Sequence, residues 1–345
     1  MKKSQELELR KRVGDLSALT GMKDYVLNDG PAKGVRAFDV NNGNGLTATI
    51  VADRGLDIAY LAFNGVNMGF IGKPGLRAPQ FYVEDGVRGF LKQFFGGMLT
   101  TCGITYAGAP CEDEGRVLGL HGPYSNTPAS GVSAKTVYEG DEAVLEISGT
   151  VHESCVFGEN MRLDRTIRVY TESGVIEIHD HVTNLGFEDQ PVMLVYHINF
   201  GYPMLDAGAK VYTNAKTIQP RDEWARSGPG VYNVMDAPEI GRGEQCYFCT
   251  KFKDDEGYAM IHNEALGIAG IVSFDPKSFP LLCEWKCMMA GDYALGLEPT
   301  VAGVMGRANA REAGVLPILK PNESADYRVK LQFTTDEKVI AEYAK

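Results

Sequence analysis

Val175-Ile-Glu-Ile-His-Asp-His-Val-Thr183 alternates with a period of two: Ile176, Ile178, Asp180 and Val182 share one face, and Glu177, His179 and His181 share the other. Such a segment reads as a strand in a half-buried sheet, not as a helix with a 3.6-residue period. Twelve further runs, rich in β-branched and aromatic residues and bounded by Gly, Asn, Asp and Pro, repeat the signal: Val35–Val40, Leu46–Ala52, Ala59–Phe63, Ser133–Tyr138, Ala143–Val151, Met161–Tyr170, Val192–Asn199, Tyr258–His262, Gly267–Phe274, Leu281–Lys286, Tyr293–Glu298 and Asp326–Thr334. The expected fold is all-β, a large sandwich with short terminal helices, and the 40 glycines supply its turns.

Around that body, Leu7, Leu9, Val13, Leu16 and Leu19 are spaced as on one side of a short helix, and Asp336–Lys345 allows a last helical turn or two. The expected organisation is one domain over 1–345: an N-terminal arm (1–25), a β-sandwich body (26–335) and a C-terminal tail (336–345). No repeat of 20–50 residues argues for a propeller or solenoid. The irregular stretches Lys73–Val87 and Gln219–Gly243 are long for loops, and such loops commonly rim a binding site.

Forty-five acidic against 34 basic residues give a net charge of −11, and no basic cluster exceeds Arg10-Lys11-Arg12. Nucleic acid and anionic membrane are therefore excluded as expected partners, and a neutral small molecule fits. No apolar run of about 18 residues is present to span a bilayer, and the N-terminus lacks the apolar core of a signal peptide. The expected location is cytoplasmic, which suits an odd number of cysteines, seven, spread over a long chain.

Nucleotide fingerprints, the GxSxG elbow and HExxH are missing, so no cofactor is expected. Cys246-Tyr-Phe-Cys249 and Cys283-Glu-Trp-Lys-Cys287 have zinc-knuckle spacing, but strand geometry sends Cys246 and Cys249 to opposite faces, which favours buried free thiols. His179 and His181 share a strand face, and a hydrated polar face explains them without a metal. Three places resist a packing explanation: Gly96–Gly103 followed by Leu118-Gly-Leu-His121-Gly-Pro123; Val195-Tyr-His197-Ile-Asn-Phe-Gly-Tyr-Pro203; and Gly291–Thr300, which contains Glu298. His121 sits among glycines, where backbone can approach a ligand closely. His197 and Glu298 each interrupt an apolar strand-like run, where a charge needs partners or a use.

These segments resemble the aldose 1-epimerase (galactose mutarotase-like) superfamily, above all a bacterial aldose-epimerase-like subgroup that includes deoxyribose mutarotase. The resemblance is carried by Asp53-Arg-Gly-Leu-Asp-Ile58, Gly96-Gly-Met-Leu-Thr-Thr-Cys-Gly103, Leu118-Gly-Leu-His-Gly-Pro-Tyr-Ser125, Tyr196-His-Ile-Asn-Phe-Gly-Tyr-Pro203, and Cys283-Glu-Trp-Lys-Cys-Met288 followed by Gly291–Thr300. It covers most of residues 30–335 and implies the supersandwich form of the fold. It further implies an isomerase interconverting the α and β anomers of an aldose, with His197 as general acid, Glu298 as general base and His121 as a sugar-binding histidine.

The family's substrate-binding arginine has no clear copy; Arg54 or Lys92 is its expected replacement, and Asp206 or Asp222 that of its binding aspartate. Tyr82, Tyr202, Trp224 and Trp285 are candidates to stack on a sugar ring, and Lys286 to donate to a hydroxyl. A sugar is then the expected partner, and a homodimer is compatible with this reading. Two alternatives keep the scaffold: an epimerase or isomerase acting at a C–H bond, which would exchange solvent deuterium into carbon, and a non-catalytic sugar-binding protein, which would bind without accelerating anomer exchange.

Overall fold

The computed structural model describes residues 1–345. Every one of the thirteen runs overlaps a strand, and Val175–Asn184 buries Ile176, Ile178, Asp180 and Val182 as its alternation requires. Three antiparallel sheets carry the fold. The largest has eight strands in the order Ser130–Glu139, Glu142–Ser154, Asn160–Tyr170, Val175–Asn184, Ser324–Thr334, Ile268–Phe274, Gly257–Asn263 and Lys210–Thr213. Its C-terminal strand lies in the middle, between strands from far apart in the chain.

The six-stranded sheet runs Ala215–Pro220, Gln245–Phe252, Leu281–Met289, Asp292–Thr300, Val195–Phe200 and Leu99–Cys102. A five-stranded sheet holds Gly21–Val26, Arg36–Asn41, Leu46–Val51, Asp57–Phe63 and Val66–Asn67. One core of 52 buried residues draws on all three. No helix is long and apolar enough to cross a membrane.

The N-terminal arm departs from expectation. Its helix is only Glu6–Arg10, too short to bury the proposed stripe, and Leu7 and Leu19 are exposed. Gly21–Val26, assigned to the arm, is the edge strand of the five-stranded sheet, paired with Arg36–Asn41. The C-terminal helix is Glu337–Tyr343, with Asp336 capping its first turn.

Asp180 is the polar exception on a buried face, and it belongs to an ionic hub. Arg165, its cross-strand neighbour, grips it with Nε–Oδ1 at 2.8 Å and Nη2–Oδ2 at 2.7 Å. Arg165 Nη1 reaches Asp57 Oδ1 at 3.2 Å, and all three side chains are fully buried. Tyr196 donates its hydroxyl to Asp180 at 2.5 Å, and the Thr101 amide donates to Asp57 at 3.0 Å. The hub thus ties the three sheets together directly behind the strands that carry His197 and Thr100. Burial pushes Asp57 up to about 6 despite the nearby Arg165.

Glu284 is buried without such partners. It is fully inaccessible, neither carboxyl oxygen has a hydrogen bond, and burial pushes its pKa up to about 8 although Lys286 opposes the shift. A raised folded-state pKa contributes stability that is fully present below the ordinary carboxylate value, is lost progressively as pH rises above it, and is gone past about 8. Glu284→Gln removes this titration. Each tenfold difference in proton affinity between the folded and unfolded chains is worth about 1.4 kcal/mol, so we expect the substitution to stabilise the fold by about 3 kcal/mol at neutral pH and by almost nothing near pH 4.5. Urea unfolding at the two pH values checks this, and an equal effect at both would refute it.

Candidate active site

The six-stranded sheet places the site by register. Ile198 pairs with Leu297, and Cys283 with Glu298, so Thr100, His197, Glu298 and Cys283 lie in one row across four neighbouring strands. Within Val195–Phe200, Tyr196, Ile198 and Phe200 enter the core cluster, which turns His197 and Asn199 to the other face. His197 Nε2 lies 3.4 Å from Glu298 Oε1, in contact but without a hydrogen bond, and that oxygen has no partner. Both side chains are almost fully buried.

Gly296, two residues before Glu298 on the same face, makes room for the carboxylate: a Cβ there would collide with Glu298 Oε1 and come within 3.0 Å of Trp285 Cβ. Aromatic rings close around the pair. Phe94 and Trp285 have centroids 5.1 and 5.3 Å from that of His197, and His121 stands edge-on at 5.7 Å. Phe90 backs His121 at 4.9 Å. Hollows of about 510 Å³ over the five-stranded sheet and about 460 Å³ on the eight-stranded sheet do not touch His197 or Glu298.

The protonation pattern follows from burial and from Asn199. The Asn199 amide nitrogen donates to the carbonyls of His197 at 2.8 Å and Gly96 at 3.3 Å, so its oxygen is the group that meets His197 Nδ1 at 2.5 Å. Nδ1 therefore carries the imidazole proton, and Nε2 faces Glu298 with its lone pair. Burial lowers His197 to about 4, partly offset by that Asn199 bond. Burial first, then the Cys246 and Glu244 charges, raise Glu298 well above the usual carboxylate range. Of the two, Glu298 therefore holds the shared proton in preference to His197. His121, lowered to about 3 by burial and by His197, is neutral, and its buried Nδ1 has no partner.

His121, His197, Glu298 and Trp285 are thus brought together. Arg54 is corrected: it is buried beneath the five-stranded sheet, where its guanidinium donates to the carbonyls of Ser125, Arg77 and Gln93 and the Ser125 hydroxyl and rests on Phe95, leaving it no face for a ligand. Lys286 is corrected too. Strand alternation sends it to the opposite face from Trp285, and it is spent on the Val231 and Val234 carbonyls and on Asp236. Lys92 is exposed and paired with Asp85; Asp206 is engaged with its own turn at the Ala207 amide. Tyr202 is exposed, Tyr82 donates to Glu84, and Trp224 lies on the short helix Glu223–Ser227.

Sequence reasoning missed the polar edge of the site. Arg221 donates to Glu244 and to Cys246 Sγ, each at 3.0 Å, and to Asp222 at 2.9 Å, while Asp222 itself caps the helix. Glu244 accepts from Trp285 Nε1 at 2.7 Å. The signal available was position: Arg221 lies in the long loop expected to rim a site, and Glu244 directly follows it. No group of three or more His, Cys, Asp or Glu side chains has metal-holding geometry; His179 and His181 instead share Asp326 Oδ1, at 2.8 and 3.0 Å.

Residues 32–333 match the profile of a family described as a domain of unknown function, DUF4432. The chain belongs to the DUF4432 family. No curated protein matches this DUF4432 chain. Among solved structures, a Klebsiella pneumoniae protein provisionally named aldose 1-epimerase superposes with a TM-score of 0.86 and 24% identity, over 98% of this chain and 91% of that one. A galactose mutarotase-like protein from Clostridium acetobutylicum gives 0.65 and 16%, over 92% and 99%. Galactose 1-epimerase from Lactobacillus acidophilus gives 0.60 and 12%, over 91% and 99%. This DUF4432 protein therefore has the galactose mutarotase-like sandwich fold.

Proposed function

We propose that this protein is an aldose mutarotase, cofactor-free and cytoplasmic, acting on a sugar in the manner of the subgroup that includes deoxyribose mutarotase. The observation that carries the reading is the His197 Nε2 to Glu298 Oε1 approach of 3.4 Å, with both side chains almost fully buried beside the rings of Phe94, Trp285 and His121. In the reaction, ionised Glu298 takes the proton of the anomeric hydroxyl while protonated His197 gives one to the ring oxygen. The ring opens to an aldehyde, and the pair is left as neutral imidazole and carboxylic acid. Rotation about one carbon–carbon bond exposes the other carbonyl face, and the reverse transfers close the ring.

With His197 lowered and Glu298 raised, the pair favours the tautomer that belongs with the open-chain aldehyde. Both tautomers share the same total of one proton, so the active form persists wherever the pair keeps that proton. A second proton enters only as pH falls toward about 4, the lowered value of His197, and the last one leaves only at the raised value of Glu298. We expect kcat/KM to fall on the acid side as pH approaches about 4, and on the alkaline side only at the pH set by the raised Glu298. NMR anomer exchange on deoxyribose, fucose and galactose, run in D2O across this range, tests the reading. Deuterium entering carbon would replace it with C–H isomerisation, and saturable binding without exchange would make the protein a sugar binder.

A further inference from the structure

Two thiols and a guanidinium beside Glu298 have no part in the proton transfers. Cys246 stands opposite Trp285, and Cys283 opposite Glu298, so both sulfurs lie on the site face, diagonally across one strand pair. They are near enough for each thiol to act on the other. Arg221 holds Cys246 twice: its backbone amide donates to the Cys246 carbonyl at 2.9 Å, and its Nη1 reaches Cys246 Sγ at 3.0 Å. Cys249 alternates to the opposite face of the same strand and is buried in the core.

We propose that Cys246 and Cys283 form a redox-responsive pair in which Cys246 is the thiol attacked by a hydroperoxide and Cys283 resolves the product. Sulfur is the atom that attacks the peroxide, and the polar group in contact with Cys246 Sγ is the Arg221 guanidinium, at 3.0 Å. Of the carboxylates facing Cys246, Glu244 is already engaged by Arg221 and Trp285, and burial raises Glu298 well above the usual carboxylate range. Cys155 is more exposed, but its only polar partner is the Val156 carbonyl, with no cation in contact. Cys246 itself is buried, and the half-exposed Arg221–Glu244 pair lies between it and solvent, so a small peroxide has to enter past that pair.

The chemistry balances in two steps. The Cys246 sulfur displaces alkoxide from the hydroperoxide, becoming sulfenic acid as the alkoxide leaves protonated as the alcohol; the sulfur is oxidised by two electrons and the peroxide reduced. The Cys283 thiol then displaces water from that sulfenic acid, forming the Cys246–Cys283 disulfide. Diagonal neighbours in a sheet have Cα atoms about 7–8 Å apart, so the bond requires the Gln245–Phe252 strand to draw toward Leu281–Met289 at its Cys246 end. Where the mutarotase reading holds, that movement pulls Arg221 with Cys246 and distorts the wall beside Glu298, so the oxidised protein loses anomer exchange and dithiothreitol restores it.

The test is a peptide map of the full-length protein after treatment with tert-butyl hydroperoxide, free thiols being alkylated on unfolding. We expect a cross-linked pair of peptides containing Cys246 and Cys283, lighter by two hydrogens and reversed by dithiothreitol. Cys283→Ser should leave one added oxygen on Cys246, and Arg221→Met should slow oxidation at Cys246 at least tenfold relative to Cys155. Cys246 remaining alkylatable while Cys155 and Cys111 oxidise would overturn the proposal, as would oxygen retained on wild-type Cys246 with Cys283 free. The map reads covalent chemistry alone, so its outcome is independent of whether the protein exchanges anomers.

Discussion

Glu298→Gln lowers turnover in anomer exchange by about 10²–10⁴-fold, and His197→Asn does the same, because each removes one of two groups that must pass a proton in the same event. The amide at 298 keeps the volume and hydrogen-bonding reach of the acid but takes no proton from the anomeric hydroxyl. The paired variant should be little worse than either single one, since half of a two-proton relay is already ineffective. The fold should survive: Glu298 Oε1 has no hydrogen bond to lose, and the hub behind the site involves neither residue. Exchange spectroscopy beside circular dichroism checks both halves. Wild-type rates in two folded variants would end the acid–base assignment.

Arg165→Met is expected to have the largest effect on stability, a loss of about 3–5 kcal/mol, because it strands two carboxylates in the interior. Asp180 would keep only the Tyr196 hydroxyl, and Asp57 only the Thr101 amide. Stranded acids escape by taking up protons, so the deficit should shrink as pH falls, beginning above about 6, because the value of Asp57 in the intact hub already includes the lowering by Arg165 that the variant lacks. Urea midpoints at neutral pH and near pH 5 measure this, and a deficit that stays constant or grows in acid would contradict it.

The strands were legible because their signal is local. The alternation in Val175–Thr183 is a property of nine consecutive residues, and burial of one sheet face enforces it wherever the strand ends up. His197 and Glu298 were legible for a related reason: polar groups inside apolar runs are conspicuous in one dimension. Arg54 and Lys286 have the same conspicuousness with a different cause. A buried cation also arises where a guanidinium or ammonium gathers loop carbonyls, and sequence does not distinguish that use from ligand binding. Arg221 was hidden because its meaning depends on which strands lie beside its loop, and the six-stranded sheet joins segments separated by long stretches of chain.

The row shared by His197 and Glu298 has a consequence for how such a protein can change its diet. Two side chains hung from adjacent rungs of one ladder inherit its repeat of about 4.8 Å, and neither can drift without breaking backbone bonds on both sides. The distance across which a proton is handed over is therefore inherited with the sheet. The Arg221–Glu244 edge and the Phe94 turn hang from connecting segments and carry no such constraint. Related chains that accept different sugars should differ there, while the spacing of the pair stays as the pleat sets it.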